Sequence, residues 1–192
     1  MVFRKARSVR LRDAATLARF EATVLVHLDA AYNLARWLTH DEFGAEEAVQ
    51  EACLRAFRFF DSLQGPSPKA WFMAIVRNAC LDWLKNQRRR ALEDEYDDDA
   101  HGSVAAPHAA GAIEPPESAA ARASEARWVR NGIAALPLEY REVVVLRELE
   151  ELSYKEISAI VNVPIGTVMS RLARGRDLLQ QKLLASRMRI RS

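Results

Sequence analysis

The sequence predicts an all-α protein: two small helical domains joined by a flexible acidic linker. Three observations carry this. Apolar residues recur at three- and four-residue spacing through two long blocks, about 20–91 and 125–187, and no stretch of period-two alternation competes with them. Glycine and proline number seven each and fall in clusters. The segment 100–119 holds three of the prolines, two glycines and almost no large apolar side chain, so it cannot bury enough surface to offset its ordering entropy.

In the first block, Tyr32, Leu34, Trp37 and Leu38 form one helical stripe. After a break at Asp41–Gly44, Ala45, Val49, Ala52, Ala56 and Phe59 form a second. Gly65, Pro66 and Pro68 punctuate a loop at 62–68, beyond which Phe72, Val76, Ala79 and Trp83 form a third stripe. The second block opens with a helix carrying Trp128 and Ile133 and breaks at Leu136-Pro137. A helix follows from about Leu138 to Leu149. Ser153 and Glu156 then make a capping box, each side chain meeting an orphan backbone donor at the other's end of the first turn. The short helix it starts faces Ile157, Ile160 and Val161 inward. Asn162 suits a left-handed turn, and Pro164 suits the first turn of the next helix, which runs to about Ala185. A short capped helix, a tight turn and a longer helix constitute a helix-turn-helix.

Composition excludes several classes. With 49% apolar and 28% charged residues in 192, the chain is globular rather than disordered. No apolar run approaches the roughly 18–20 residues that cross a bilayer. The basic start (Arg4, Lys5, Arg7, Arg10, Arg12) lacks an apolar h-region, so a secretory signal is not expected, although such a start can imitate an organellar transit peptide. Cys53 and Cys80 form no C-x-x-C, and no histidine stands at metal-ligand spacing, so neither a disulfide framework nor a metal or other cofactor is expected. His27, His40, His101 and His108 have no paired nucleophile or acid, which argues against an enzyme. The expected compartment is the cytoplasm.

The net charge of +2 conceals a segregation: residues 93–99 hold six acids and no base, and removing them leaves +8 on the remainder. Bases concentrate in 1–19, in Lys85 to Arg90 and in Arg171 to Arg191, which points to a polyanionic partner. The helix after Pro164 separates into two faces. Val168, Leu172, Leu179 and Leu183 face the preceding helices, while Thr167, Ser170, Arg171 and Arg174, with Arg176 at the flank, form a basic face. Arginine can pair two donors with a guanine edge, and serine and threonine can reach bases or phosphates. Gly166 and Gly175 weaken a helix and suggest close approach, to DNA or to the preceding helix.

These residues resemble a known family. Leu136-Pro137, Arg141-Glu142, Leu146-Arg147, Leu152-Ser153-Tyr154, Glu156-Ile157, Pro164, Gly166-Thr167-Val168, Ser170-Arg171-Leu172 and Arg174 are similar to domain four of bacterial extracytoplasmic-function sigma factors. Ala45-Glu46-Glu47, Val49-Gln50-Glu51 and Arg55-Ala56-Phe57 resemble the core-binding helix of their domain two. Trp71, Ile75-Val76-Arg77-Asn78 and Asp82-Trp83 resemble its promoter-melting helix. The resemblance implies a non-catalytic subunit whose partners are RNA polymerase core, promoter DNA and an anti-sigma factor. Its domains would be a basic extension at 1–19, domain two at 20–91, a linker at 92–124, domain four at 125–187 and a basic tail at 188–192.

It further implies that Glu46, Glu47, Gln50, Glu51 and Arg55 grip the polymerase clamp. Lys69, Trp71, Arg77 and Asn78 would capture the unpaired minus-ten strand, and Lys85, Arg88, Arg89 and Arg90 the duplex phosphates upstream. Trp71, Phe72 and Trp83 are equally compatible with plain core. Thr167, Ser170, Arg171, Arg174 and Arg176 would read the minus-thirty-five element. The acidic run would either mimic nucleic acid in a basic channel or only solubilise the linker. Met169 departs from the family's usual cation, Ala52-Cys53 from a bulkier pair, and Asn162 from glycine. The alternative reading is a conventional helix-turn-helix regulator that binds duplex DNA without core polymerase.

Overall fold

The computed structural model describes residues 14–63, 67–94 and 117–190, and all of its regular elements are helical. The basic cluster of 4–12, Gly65 and Pro66, and most of the acidic run and Pro/Gly segment lie outside the described residues.

The N-terminal bundle comprises α1 (Ala14–Thr23), α2 (Leu28–Thr39), α3 (Glu42–Arg58) and α4 (Pro68–Asp94). Helix α2 ends on His40 in the left-handed conformation, φ 59°. The Asp41 carboxylate then accepts from Gly44 N–H, capping α3. The expected break is therefore two residues long, and Gly44 lies inside the first turn of α3, where a Cβ would collide with the Trp83 ring. Helix α4 starts with Pro68 at its first position, after Ser67, whose hydroxyl accepts from Ala70 N–H at 3.3 Å. Leu34, Leu38, Ala45, Ala52, Ala56, Phe72, Met73, Val76 and Cys80 make the core between these helices. The second stripe ends one residue later than its spacing suggests. Helix α3 stops at Arg58, a 3₁₀ turn (Phe60–Ser62) rotates the chain, and Phe60 is buried while Phe59 is exposed. Phe20 packs edge-on against Phe57 and Phe60, which fastens α1 to the bundle.

The C-terminal bundle comprises α5 (Glu117–Ala134), α6 (Leu138–Val144), a π-helical turn (Val145–Leu149), α7 (Tyr154–Val161) and α8 (Ile165–Ile190). Helices α4 and α5 extend into the expected linker, to Asp94 and from Glu117, and the rest of 92–124 lies outside the described residues. The expected helix over 138–149 widens at Val145 into the π turn. The chain leaves it through Glu151 at φ 57°, a left-handed conformation that glutamate adopts at a steric cost. Buried Arg141 donates from Nη1 to the carbonyls of Ala134 and Leu136, satisfying the end of α5. The capping box of Ser153 and Glu156 is complete, and Asn162 is left-handed at φ 55°. The Ser158 hydroxyl donates to Val163 C=O at 2.6 Å, bracing the turn into α8.

The two bundles touch. Helix α4 packs on α7, and α2 packs on α6 and the π turn.

Candidate nucleic-acid interface

The helix-turn-helix is held from beneath by α6. Val168 and Leu172 are fully buried, and Leu179 and Leu183 are half-buried, as the counted stripe requires. Gly175 lets α8 lie close on α6, since a Cβ there would come within 2.9 Å of Val144 Cγ2. Gly166 faces open space and makes no such approach, so of the two glycines only Gly175 is explained by helix packing.

On the outer face of α8, Ser170, Arg174 and Met169 are exposed and Thr167 is half-buried. The Ser170 hydroxyl donates to Thr167 C=O at 3.0 Å, back into its own helix. Arg171 lies differently. It is half-buried and reaches inward, its Nη1 3.4 Å from Glu142 Oε1 and its Nη2 3.5 Å from Glu139 Oε2. Arg176 is exposed and donates to Glu148 Oε1 from both Nε (3.1 Å) and Nη2 (2.6 Å), which raises its pKa above the ordinary arginine value.

On α3, Glu46 and Gln50 are exposed beside an apolar groove of about 840 Å³, lined among others by Leu17, Phe20, Leu25, Val49, Cys53 and Leu54. Burial pushes the Cys53 thiol up, away from reactivity. Cys80 is buried in the core and pushed up to about 12. The other α3 candidates pair inside the bundle. Arg55 donates to Glu51 Oε1 at 2.7 Å and to Asp82 Oδ2 at 2.8 Å, and Glu47 accepts from Trp83 Nε1 at 3.0 Å. Trp83 thus serves as a wedge between α3 and α4 rather than as an exposed stacking surface, and Phe72 is fully buried.

On α4, Trp71 is half-buried and Asn78 exposed, while Lys85, Arg88, Arg89 and Arg90 are exposed along its C-terminal half, with Arg89 3.6 Å from Glu93. Lys69 and Arg77 face the other bundle. Arg77 Nε donates to Glu142 Oε2 at 2.7 Å and its Nη2 to Oε1 at 3.3 Å. Lys69 Nζ lies 3.1 Å from Glu150 Oε2 and donates to Glu150 C=O at 2.8 Å. Asn33 donates to Glu150 Oε1 at 2.7 Å, and the Ser67 hydroxyl to Glu156 Oε1 at 2.6 Å. The Ser67 and Ser153 contacts hold the Glu156 carboxyl below its ordinary range. Glu150, Asn33 and Ser67 stand outside the residues that motif spacing singled out, and Glu142 stands among them only within the Arg141-Glu142 match, with no partner assigned. Their partners are 65 to 117 residues away in sequence, which helical periodicity does not encode.

Among the described residues, no group of three or more His, Cys, Asp or Glu is placed to hold a metal ion. No helix among them is long and apolar enough to cross a membrane.

Comparison with known proteins matches residues 23–90 to Sigma-70 region 2 and residues 126–179 to Sigma-70, region 4. The chain is similar to the ECF RNA polymerase sigma factor SigE of Mycolicibacterium smegmatis, 32% identical over 89% of this chain and 64% of that protein. It is also similar to the RNA polymerase sigma-H factor of Pseudomonas aeruginosa, 30% identical over 85% and 86% of the two chains. Among solved structures it resembles the sigma factor RpoE of Bartonella quintana in complex with the anti-sigma factor NepR. That match has a TM-score of 0.64 and 26% identity, and covers 86% of this chain and 96% of that one.

Proposed function

The chain belongs to the ECF RNA polymerase sigma factors, and on that premise we propose that it binds core polymerase in the cytoplasm and directs it to a distinct set of promoters, without catalytic chemistry of its own. The observation that carries this is the presence, in one chain and in order, of a region 2 bundle and a region 4 helix-turn-helix. A conventional helix-turn-helix regulator would account for the second and leave the first without a purpose.

In this reading α3 docks on the clamp of the polymerase. Leu17, Val49 and Leu54 supply apolar area in the groove, and Glu46 and Gln50 fix the register at its rim, while Glu47, Glu51 and Arg55 stiffen the helix through their own pairs. Lys69, Trp71, Arg77 and Asn78 engage the minus-ten strand, with Lys85, Arg88, Arg89 and Arg90 on adjacent phosphates. Thr167, Ser170 and Arg174 read the minus-thirty-five element in the major groove. Arg171, held by Glu139 and Glu142, orients α8, and Arg176 follows the DNA backbone once released from Glu148. The Bartonella relative was solved with an anti-sigma factor, and we extend that mode of control to this chain.

The test is to mix the purified chain with bacterial core polymerase, look for co-elution on gel filtration, and transcribe genomic fragments with the mixture. A stable complex with new start sites is expected. Duplex DNA binding without any complex would instead establish the conventional regulator.

A further inference from the structure

The outer surface of α8 has two flanks of different chemistry. Steps of four residues return to nearly the same side of a helix, so Ile165, Met169 and Ala173 form one strip and Gly166, Ser170 and Arg174 another. All six are exposed, Ile165 at 44% and Met169 at 53%. Neither large side chain is needed for packing, because Val168 and Leu172 fill the buried side of the helix. The apolar strip carries no charge. The next cation on its flank, Arg176, is drawn to Glu148 at 2.6 Å.

Apolar side chains on a helix that enters the major groove have a specific counterpart there. Among the four bases only thymine presents a methyl group in that groove, at C5. Donors and acceptors read the other base-edge groups, whereas a methyl is read by removing it from water.

We propose that Ile165 and Met169 are specificity-determining residues that bury thymine C5-methyl groups of the minus-thirty-five element, while Thr167, Ser170 and Arg174 take the hydrogen-bonding edges on the other flank. The proposal rests on the sigma-factor reading above and adds base chemistry to it: the element holds at least one thymine recognised by apolar contact.

The two side chains differ in stiffness. Isoleucine is β-branched and restricted at χ1, so Ile165 fixes where the helix meets its methyl. Methionine has three rotatable bonds and a polarisable sulfur, so Met169 adapts to a methyl on either strand. Four residues advance about 6 Å along a helix, and base pairs rise about 3.4 Å, so the two methyls lie one or two base pairs apart. Gly166 stands beside the strip with nothing within 4 Å of the place a Cβ would occupy. No side chain therefore separates the backbone from the bases at that turn.

The test starts from a random-sequence duplex pool, selected on the full chain assembled with core polymerase and, in parallel, on the full chain alone. The enriched duplex is remade with deoxyuridine in place of thymidine, one position at a time, which removes the methyl and keeps every hydrogen-bonding group. Affinity is expected to fall about fourfold at one or two positions, the effect of one buried methyl. Met169→Ala is expected to bind the thymidine and deoxyuridine duplexes equally at one of these positions, and Met169→Leu to keep the difference. Arg174→Ala should weaken both duplexes alike. Both strip residues are exposed, so these variants are expected to fold, which circular dichroism checks. Deoxyuridine tolerated at every position would overturn the proposal, as would a methyl effect that survives both Ile165→Ala and Met169→Ala. An enriched element without thymine, or no enrichment by either chain or complex, would overturn it too. If the chain enriches a duplex but never binds core polymerase, the sigma-factor reading falls, and the deoxyuridine comparison still decides the methyl contact.

Discussion

On α3, Glu51 and Arg55 pair one turn apart and reach Asp82 on the neighbouring helix, with side chains 34% to 58% exposed. On α4, Arg77 pairs with Glu142 across the boundary between bundles, with side chains 15% and 2% exposed. Both sets are arginine–carboxylate pairs at 2.7–2.8 Å, so geometry alone does not separate them. Solvent does. The α3 pairs sit in high dielectric, where screening and side-chain entropy cancel most of the attraction. The α4 pair has lost its water, so each partner is committed to the other. The difference teaches that a charged helix face is not one kind of surface: on α3 it is available to a partner, and at Arg77 on α4 it is already covered by the molecule itself.

The comparison breaks most sharply at the two carboxylates. Glu142→Ala leaves Arg77 and Arg171 without their shared partner in a largely dehydrated site and is expected to destabilise the fold by about 3 kcal/mol. Glu51→Ala removes an exposed pair and is expected to change stability by less than about 1 kcal/mol. Urea denaturation of both variants checks this. Equal effects would mean that water reaches the Glu142 site freely and that the covered face is not covered in solution.

A smaller effect is expected at the exit of the π turn, beside Glu150. Glu151 sits at φ 57°, where a side chain crowds its own carbonyl. Glycine removes the crowding and adds freedom to the unfolded chain, two terms that oppose each other. Glu151→Gly is therefore expected to stabilise by only about 1 kcal/mol, read as a rise in the urea midpoint. A loss instead would show that the exposed Glu151 carboxylate supplies something the backbone does not.

These residues also mark where the sequence is legible. The capping box, the left-handed Asn162 and the buried Val168 and Leu172 were all readable, because each depends on spacing within a few residues. The burial of Phe60 in place of Phe59 was not, because a 3₁₀ turn shifts the helical phase by a fraction of a turn that apolar spacing does not register. The π turn was hidden for a similar reason: Val145–Leu149 has the composition of any amphipathic helix, and glutamate at 151 gives no sign of a left-handed exit. Of the promoter candidates, Arg174 and Ser170 could be placed on an outer face by counting. The inward turn of Arg171 and the cross-bundle pairing of Lys69 and Arg77 depend on acids far away in sequence.

The smallest effect concerns pH. His40 ends α2 at the rim of the interface, and its pKa is lowered by lost hydration, by Arg141 of the opposite bundle and by Arg36 of its own helix. Arg36 is itself 3.9 Å from Glu42, a loose and exposed pair that offsets little of this. A histidine with a depressed pKa in the closed form takes up a proton more readily once the chain opens or unfolds. Its contribution to closure is thus fully present above the ordinary value of 6.5 and is lost as pH falls through the lowered one. His27, lowered by lost hydration and by Lys69, acts in the same direction. Acidification from about pH 8 to about pH 5.5 is accordingly expected to expand the chain slightly in scattering at constant salt. His40→Asn should reduce that expansion while keeping the helix end, because asparagine tolerates the φ of 59° that this position requires. An unchanged pH response in that variant would move the effect to His27 and away from the Arg141 contact. Expansion on raising the pH would contradict the sign for both histidines, and with it the claim that lost hydration and cationic repulsion act on them at the boundary between the bundles.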